Sequence, residues 1–452
     1  MAAVSFSGLN GIDFSAIVTA TINAESTPLN MLKQQQDDIK AKDAALVSLS
    51  TGISTMETQS DALISSALFT NTVANSSNTG VGSATTGSDA ISGEYTLHVN
   101  SLAKSQVTAS TSTYAAASDV AADGGSLSFT IGGVTTTSID ITSGTTLLEL
   151  RNAINAQNSG VVASIVNTGT SKKLVISSRE TGGANGFTIN NALTNGTGTA
   201  LTFAAGQSPT TGNSQNAQDA SFTVNGMDFT STTNTTTDAI PGLALKLSSA
   251  GDAVISVAPD NASIETSLQA FVTTYNQLRQ FATVQNTVSA VTGKRGPLAN
   301  DSVLRQTLGD LRDVLLAPNS NGGKFKYLSE IGIAVDQAGN LKFDQKAYAD
   351  AIASNPEDVQ KLLQGTGAIK GVFATMKEKL QNLDGSAGLI KTTRDSITSS
   401  LRTVGDRITA AQLRLDMRRK ALEKQFAAAD DAISKLNSMT GQLSQLGSAK
   451  LF

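Results

Sequence analysis

Apolar residues near the C-terminal end of the chain follow a strict alternation of four and three positions. Only Arg418 and Gln425 interrupt the pattern, and no proline follows Pro356. Such a repeat predicts one long helix in a coiled coil or a helical bundle, and about fifty residues at 1.5 Å each would extend roughly 75 Å. Its positions are Ile397, Leu401, Val404, Ile408, Ala411, Leu415, Leu422, Ala429, Ala432, Leu436, Met439, Leu443 and Leu446.

The N-terminal part of the chain carries a matching pattern. Leu32, Ile39, Leu46 and Ile53 recur every seven residues, and Leu49, Met56 and Leu63 take the interleaved positions. Gln35 and Lys42 weaken the start of this stripe. Pro28 suits the first turn of the predicted helix, and Thr27 is the expected N-cap.

Two such stripes need partners, because each apolar side chain that stays in water lacks the ~1.5–3 kcal/mol of stabilisation that burial would give. They can pack against each other or against other copies of the chain. On pattern alone, plain bundle core is the more frequent explanation. The basic cluster from Arg414 to Lys424 indicates a solvated face, partly balanced by Asp416 and Glu423.

The middle of the chain is rich in Thr, Ser, Gly, Asn, Ala and Val, and predicts two β-rich units, one inserted in the other. A helix capped by Thr145 is expected over residues 147–154. Residues 194–218 are predicted to form a loop or flexible connection. The expected strands are residues 95–99, 127–131, 161–166, 174–177, 187–189, 220–224, 243–247 and 253–257.

Composition excludes most catalytic chemistry. The chain has no Cys and one His, His98, so thiolate and His-cluster metal sites are absent, and we expect no cofactor and no enzyme activity. No phosphate-binding or nucleophile-elbow motif occurs. The segment that begins at Asp336 lacks calcium ligands at Ala338 and Ala347, and predicts a turn between strands 331–335 and 341–343.

Net charge and hydropathy also restrict the partners. A net charge of −4 gives no general field for nucleic acid. No stretch reaches the ~20 apolar residues of a membrane helix, so no membrane insertion is expected. Residues 1–30 lack the basic start and the apolar core of a cleavable secretory signal.

Short sequence blocks in a characteristic order are spread over nearly the whole chain. They are Phe6-Ser7-Gly8-Leu9-Asn10-Gly11-Ile12-Asp13, Ile17-Val18, Pro28-Leu29, residues 93–103, Phe222-Thr223-Val224-Asn225-Gly226, Ile240-Pro241-Gly242-Leu243, Phe271-Val272, Tyr275-Asn276, residues 296–301, residues 328–343, Gln425-Phe426 and Leu436-Asn437. In this order and spacing the blocks resemble the flagellar filament-capping proteins, a family also called flagellar hook-associated protein 2 or FliD. Residues 139–189 are in addition similar to a repeat of flagellin and hook-associated proteins.

The resemblance implies a homo-oligomeric ring at the distal tip of the extracellular filament. Such a cap guides exported flagellin subunits into place and prevents their loss. The implied partners are other copies of the chain, flagellin, the filament end or hook-associated proteins, and a flagellar export chaperone before secretion. Export would use the flagellar type III pathway, which needs no cleavable signal.

The expected fold is α+β and multidomain, with a stalk of long terminal helices and two inserted β-rich domains. The predicted division is an N-terminal leg (1–70), an inner β-rich domain (71–109 with 216–261), an outer β-rich domain (110–215), a helical-bundle domain (262–395) and a C-terminal leg (396–452). The candidate oligomer or filament contacts are Leu32, Ile39, Leu46, Ile53, Leu401, Ile408, Leu415, Arg418, Leu422, Gln425, Phe426, Leu436 and Leu443.

Two alternatives stay open at this point. The first is another axial flagellar component, either a hook–filament junction protein or flagellin itself, since these proteins also carry helical ends around β domains. The second is a surface adhesin whose Thr- and Ser-rich domains bind host glycans.

Overall fold

The chain folds into two compact units, Met1–Leu68 with Asn261–Phe452 and Phe69–Asp260. The structure is a computed structural model and describes residues 13–196, 200–291 and 293–448. The predicted block from Phe6 to Ile12 and the side chain of Leu446 lie outside the described residues. The first unit is mostly helical and the second is mostly strand, which confirms the α+β fold class with long terminal helices.

The helices account for both predicted apolar stripes. The last one has 60 residues, so at 1.5 Å per residue it is about 90 Å long. The helices are α1 (Phe14–Glu25), α2 (Thr27–Ile64), α3 (Ser66–Thr70), α4 (Leu147–Ala156), α5 (Asn261–Asn286), α6 (Ser302–Leu316), α7 (Gln345–Ser354), α8 (Pro356–Leu363), α9 (Val372–Asp384) and α10 (Leu389–Ser448).

The second half of α2 is the centre of the helical unit. It packs against α5, α9 and α10, and its Leu46, Leu49, Ile53 and Met56 are completely buried. The neighbouring helices α5 and α9 meet through Phe271 and Phe373, whose rings lie edge to face at 4.8 Å. The apolar stripe predicted over residues 46–63 is therefore core of the bundle.

The predicted N-cap of α2 is wrong by one residue. Ser26 occupies the cap position and Thr27 is the first residue of the helix. The hydroxyl of Thr27 donates to the carbonyl oxygen of Ala24 at 3.1 Å, so it closes the end of α1 and does not accept a bond from α2. Helix α1 therefore ends and α2 begins at Ser26, whose backbone stays in the right-handed helical region.

The strands of the second unit are all antiparallel to their neighbours. In chain order, the strands of the described residues are β1 (Thr72–Ser76), β2 (Gly82–Thr86), β3 (Gly93–Ser101), β4 (Val107–Ala109), β5 (Val120–Ala122), β6 (Ser126–Ile131), β7 (Val134–Thr135), β8 (Ile139–Asp140), β9 (Thr145–Thr146), β10 (Val161–Asn167), β11 (Lys172–Ser178), β12 (Phe187–Asn191), β13 (Ala220–Val224), β14 (Met227–Ser231), β15 (Thr235–Thr236), β16 (Leu243–Leu247), β17 (Gly251–Pro259), β18 (Ile333–Val335), β19 (Leu341–Phe343), β20 (Gly365–Thr366) and β21 (Ile369–Lys370).

Two hydrophobic cores lie in this unit. The first is built on a five-stranded sheet in the order β1-β17-β3-β13-β14 and on a three-stranded sheet, β15-β16-β2. The second is enclosed by β10-β11-β4, by the sheet around β6, and by α4. The predicted strands are confirmed in both, while the five-segment division of the chain stays a prediction.

Local sequence explains the second core. β6 turns back into β7 through Gly132 and Gly133, which have φ of 55° and 83°, the left-handed values that a tight hairpin turn requires.

The predicted cap of α4 is wrong by one residue. Thr146, not Thr145, caps the helix, because its hydroxyl accepts from the backbone N–H of Glu149, which bonds back to Thr146.

The segment predicted as a loop over residues 194–218 has no strand or helix in its described residues, but it is packed. Leu201 is completely buried in the second core. The amide of Gln207 is also buried and accepts from the backbone N–H of Ile189 at 2.8 Å. The predicted loop is therefore confirmed for the described residues, and its buried side chains pack it against the second core.

Side-chain amides replace missing backbone partners at four places. In each, one Asn or Gln accepts from the N–H and donates to the C=O of a single residue. This pairing satisfies backbone groups that no neighbouring strand or helix reaches. The four pairs are Gln106 with Phe187, Asn155 with Ala163, Asn234 with Ala103 and Asn276 with Leu341.

The predicted turn at Asp336 is confirmed. β18 and β19 form a hairpin, and a carboxylate oxygen of Asp336 accepts from the backbone N–H groups of Ala338 and Asn340, each at 2.9 Å. The carboxylate therefore serves the turn. From α5, Arg279 donates to the carbonyl oxygen of Ala338 at 2.6 Å and fixes the hairpin on the bundle.

Candidate assembly surface

The two ends of the described chain pack side by side as antiparallel helices. Phe14, Val18 and Ile22 occur every four residues on α1 and are buried against α10. Their partners on α10 are Leu422 and Phe426, and the ring of Phe426 stacks on that of Phe14 with centroids 5.3 Å apart. α1 is held by this one apolar strip.

A second apolar cluster follows where α2 begins. Leu29 of α2 is buried with Val404 and Ile408 of α10. The half-buried side chains around it come from both helices and are Leu32, Ile39, Ala411 and Leu415. The predicted heptad stripes of the two chain ends therefore meet each other in one chain.

Ion pairs fix the register of these helices. Nε of Arg418 lies 3.2 Å from a carboxylate oxygen of Glu25, and Nε of Arg394 lies 2.9 Å from one of Asp43. Both pairs join α10 to the N-terminal helices. Residues 25–43 consequently run alongside residues 394–418 in the opposite direction.

Lys42, which weakens the predicted stripe, has a specific partner. Its ammonium group lies 2.8 Å from Asp301, the N-cap of α6, whose side chain is 10% exposed. Burial alone would raise the pKa of Asp301. The hydrogen bond from Lys42, the bond from the N–H of Val303 and the charge of Lys42 outweigh it, so this pKa lies below its usual value.

The structure places the candidate contact residues in three environments. Within the chain itself, Leu46, Ile53, Ile408 and Leu422 are buried. Leu32, Ile39, Leu401, Leu415 and Phe426 are half-buried, and Arg418, Gln425, Leu436 and Leu443 are exposed. A role of these thirteen residues in contacts with another chain stays a prediction, and the buried ones could make such contacts only if the bundle opened.

The last part of α10 continues the stripe without a described partner. Leu436, Met439 and Leu443 keep the spacing of three and four residues, and they are 62%, 62% and 68% exposed. Among the described residues no helix packs against these three side chains. We call this segment, residues 436–443, the tip stripe.

Sequence reasoning missed several residues of this region. Phe14, Val18 and Ile22 line a short helix whose spacing of four was a usable signal. Glu25, the residue that forms an ion pair with Arg418, was also not predicted. Leu413 and Met417 of α10 are 60% and 57% exposed and escaped notice, because they lie outside the heptad stripe.

The described residues give no support for bound metal or for a membrane span. No group of three or more His, Asp or Glu in this part of the chain could hold a metal ion. Across the described ranges, no helix is long and apolar enough to cross a membrane. His98 is exposed, and its Nδ1 lies 2.6 Å from Asp252 on the adjacent strand.

A helical stalk formed by both chain ends, β-rich insertions and an exposed apolar stripe on the longest helix are together typical of an assembly protein. Two family models match the chain, the N-terminal model of flagellar hook-associated protein 2 over residues 10–106 and its C-terminal model over residues 217–438. The chain belongs to this family. The flagellin hook IN motif matches residues 126–180, which confirms the similarity inferred for residues 139–189.

Known relatives match over nearly the full length. The A-type flagellar hook-associated protein 2 of Pseudomonas aeruginosa is 28% identical, over 96% of this chain and 95% of its own. Flagellar hook-associated protein 2 of Escherichia coli K12 is also 28% identical, over 98% of both chains. The crystal structure of the D1-D2-D3 domains of the flagellar cap protein FliD from Escherichia coli is 27% identical with a TM-score of 0.56, and the match covers 78% of this chain and 99% of that one.

Proposed function

We propose that this protein caps the distal end of a bacterial flagellar filament as a homo-oligomeric ring. The ring guides exported flagellin subunits into the filament and prevents their escape into the medium. The protein acts by binding and has no active site. Its work is extracellular, after export through the flagellar type III pathway with the help of an export chaperone.

The observation that carries the proposal is the exposed tip stripe at the end of α10. Leu436, Met439 and Leu443 together leave three large apolar side chains in water. Each would gain ~1.5–3 kcal/mol on burial, so the tip stripe favours a partner. For a member of this family the fitting partner is the end of the filament.

The seam between the chain ends suits a leg that must release and rebind. Apart from the half-exposed ion pair of Glu25 with Arg418, the contact of α1 with α10 consists of one strip of three α1 side chains. Arg418 and Gln425 replace apolar residues within the stripe, and both are exposed. Few apolar contacts give a low local stability, so α1 can detach without unfolding the rest of the bundle.

The predicted segments divide the work of the cap. Residues 1–70 and 396–452 form the legs that reach the filament, and residues 262–395 hold them together. The β-rich residues 71–261 form the plate above the filament end. No observation favours an adhesin that binds host glycans, a hook–filament junction protein or flagellin over this assignment.

Deletion of the gene from its own host tests the proposal. We expect hooks without filaments and unpolymerised flagellin in the culture medium, with both defects corrected by the intact gene on a plasmid. The matched control is a strain without flagellin, which has bare hooks and no flagellin in the medium. Normal filaments in the deletion strain would contradict the proposed function.

A further inference from the structure

A second stripe runs along α10 on the side that faces away from α1 and α2. It comprises Arg402, Ala410, Leu413, Met417, Lys420 and Lys424, and we call it the outer stripe. Leu413 and Met417 each lie two positions from a seam residue, Ala411 or Leu415. Two positions turn a helix by 200°, so the outer stripe points almost directly away from the seam.

The outer stripe is apolar at its centre and open to solvent. Leu413 is 60% exposed and Met417 is 57% exposed, and Ala410 beside them is exposed as well. Nothing within the described residues packs against these three side chains. Isolated surface leucines are ordinary, but a row of apolar residues with coiled-coil spacing is typical of a helix that packs on another helix.

The charges around this row are strongly one-sided. Residues 402–424 hold seven basic and three acidic side chains, although the whole chain has a net charge of −4. Arg402, Lys420 and Lys424 form no ion pair with any described residue. Asp406 is the one acidic residue that lies on the line of the outer stripe. A partner should therefore present apolar and acidic groups together.

The N-terminal helices of the same chain carry the complementary surface. Residues 13–38 hold four acidic side chains and one basic side chain. Met31 is 68% exposed, and Asp37 and Asp38 are exposed a short way along the same helix. We call Met31, Asp37 and Asp38 the elbow surface, since they follow Ser26, the junction of α1 and α2.

Both surfaces lie at the same height along the stalk. Glu25 pairs with Arg418 and Asp43 pairs with Arg394, so residues 25–43 span the same length as residues 394–418. Interpolation along these helices puts Met31 near the level of Ala410 and Leu413. Asp37 and Asp38 likewise lie near the level of Arg402.

We propose that the outer stripe of one copy packs on the elbow surface of the next copy around a ring. The copies of a ring are related by rotation about an axis. If that axis is parallel to the stalk, the rotation leaves the position of every residue along the stalk unchanged. Two surfaces that lie at the same height in one chain therefore face each other between neighbouring copies. Leu413 and Met417 then cover Met31, and Arg402 meets Asp37 and Asp38. The contact is heterologous, as a closed ring requires, and it rests on the proposed function.

The size of the contact sets its strength. Three apolar side chains on one partner and one on the other bury far less than the ~1,000 Å² that a stable pairwise interface needs. Two copies alone therefore associate weakly through this surface. Closure of the ring gives every copy two such contacts, so the assembly is cooperative and favoured at high local concentration.

Disulfide trapping in the intact chain tests the pairing, because the protein contains no cysteine. One chain carries Met31→Cys and a differently tagged chain carries Leu413→Cys, and the mixture is mildly oxidised. A bond between the two tags can only join separate molecules. We expect this mixed product at ten times or more the background given by a Val291→Cys partner, whose side chain is 94% exposed on a different surface.

Several results would overturn the inference. A mixed product at the background level, or products that join only Met31→Cys to itself or Leu413→Cys to itself, would exclude the heterologous pairing. A cross-link of Leu413→Cys to added flagellin in preference to a second copy would assign the outer stripe to flagellin. In each of these cases a wild-type chain that still forms rings would leave the proposed function intact.

Charge reversal gives a second, independent measurement. Arg402→Glu should reduce ring formation in sedimentation experiments by about tenfold in apparent affinity, and adding Asp37→Lys and Asp38→Lys to the same chain should restore it. Failure of the combined variant to exceed Arg402→Glu would contradict the pairing. A wild-type chain that stays a monomer at every concentration would contradict both this inference and the ring of the proposed function.

Discussion

The ring of Phe14 stacks on that of Phe426 with centroids 5.3 Å apart, and this pair marks the far end of the contact between α1 and α10. Beyond Phe426 the stripe of α10 continues into the exposed tip stripe. Among the described residues, the pair therefore separates the part of α10 that α1 covers from the part that the proposed function assigns to the filament end.

Replacement of Phe426 by Ala should release α1 while the remaining bundle stays folded. Loss of the stacked pair and of its buried area removes about 1–3 kcal/mol from a strip of few contacts. Hydrogen exchange of the amides of residues 18–25 should accelerate by roughly tenfold or more, since each 1.4 kcal/mol is a factor of ten. Leu436→Ala, at an exposed position on the same helix, is the control and should leave that exchange unchanged. Equal protection in both variants would contradict the role given to Phe426.

The pair of Lys42 with Asp301 should make stability depend on pH. The pKa of Asp301 in the folded chain lies below its usual value, so the pair stabilises above the unfolded pKa of ~4 and this gain is lost as pH falls through the folded pKa. Lys42→Gln should lower the free energy of unfolding at pH 7 by about 1 kcal/mol and by a smaller amount at pH 3. Denaturant unfolding followed by helical circular dichroism measures both values.

Lys346 provides the control for that comparison. Its pair with Asp350 is a solvent-exposed contact within one helix, at 2.7 Å. Lys346→Gln should leave the unfolding curve unchanged at both pH values. An effect of Lys42→Gln that persists undiminished at pH 3 would show that Lys42 stabilises the bundle by some other contact.

Asn276 should be essential for the hairpin of β18 and β19. Its amide accepts from the N–H of Leu341 at 2.8 Å and donates to the carbonyl oxygen of the same residue at 2.9 Å. Asn276→Ala leaves both backbone groups without partners and should lower the free energy of unfolding by about 1–3 kcal/mol. Asn382→Ala, at an exposed position on α9, should change it by a few tenths at most. Equal effects of the two substitutions would refute this role of Asn276.

Replacement of Arg418 and Gln425 by Leu should slow filament growth. Arg418→Leu removes the ion pair with Glu25, but a pair this exposed contributes only ~0–1 kcal/mol, less than the ~1.5–3 kcal/mol for each buried leucine. The two leucines therefore complete the apolar stripe around Leu422 and hold α1 more firmly on α10, which opposes the release that the proposed function requires. Pulse labelling of flagellin in living cells gives the growth rate. Growth at the wild-type rate, with the variant present at the filament tip, would count against the idea that a weak seam is needed.

The sequence predicts the long elements of the fold better than their ends. Seven heptads fix α10, and alternation of apolar residues fixes β3, β6 and β13, because these patterns persist over many residues. The caps at Thr27 and Thr145 are each wrong by one residue. A neighbouring Ser or Thr can supply the same hydroxyl, and only the backbone geometry decides between them.

The candidate surface is less predictable, because a heptad stripe does not specify which helix, if any, will cover it. Leu46 and Leu436 occupy equivalent positions in their stripes, but one is completely buried and the other is 62% exposed. The difference depends on which helices of the same chain reach each position. The outer stripe was not predicted for a related reason. Once the apolar residues of α10 are assigned to one heptad register, Leu413 and Met417 fall outside that register.

The most direct test of the cap assignment is the loss of the tip stripe alone. Leu436→Ser, Met439→Ser and Leu443→Ser together change only exposed side chains, so the purified variant should keep the circular dichroism and unfolding curve of the wild type. Expressed in the deletion strain, the variant should appear outside the cell, which controls for export, while flagellin is lost to the medium and filaments are absent. Filaments of normal number and length with this variant would contradict the claim that the exposed end of α10 binds the filament tip.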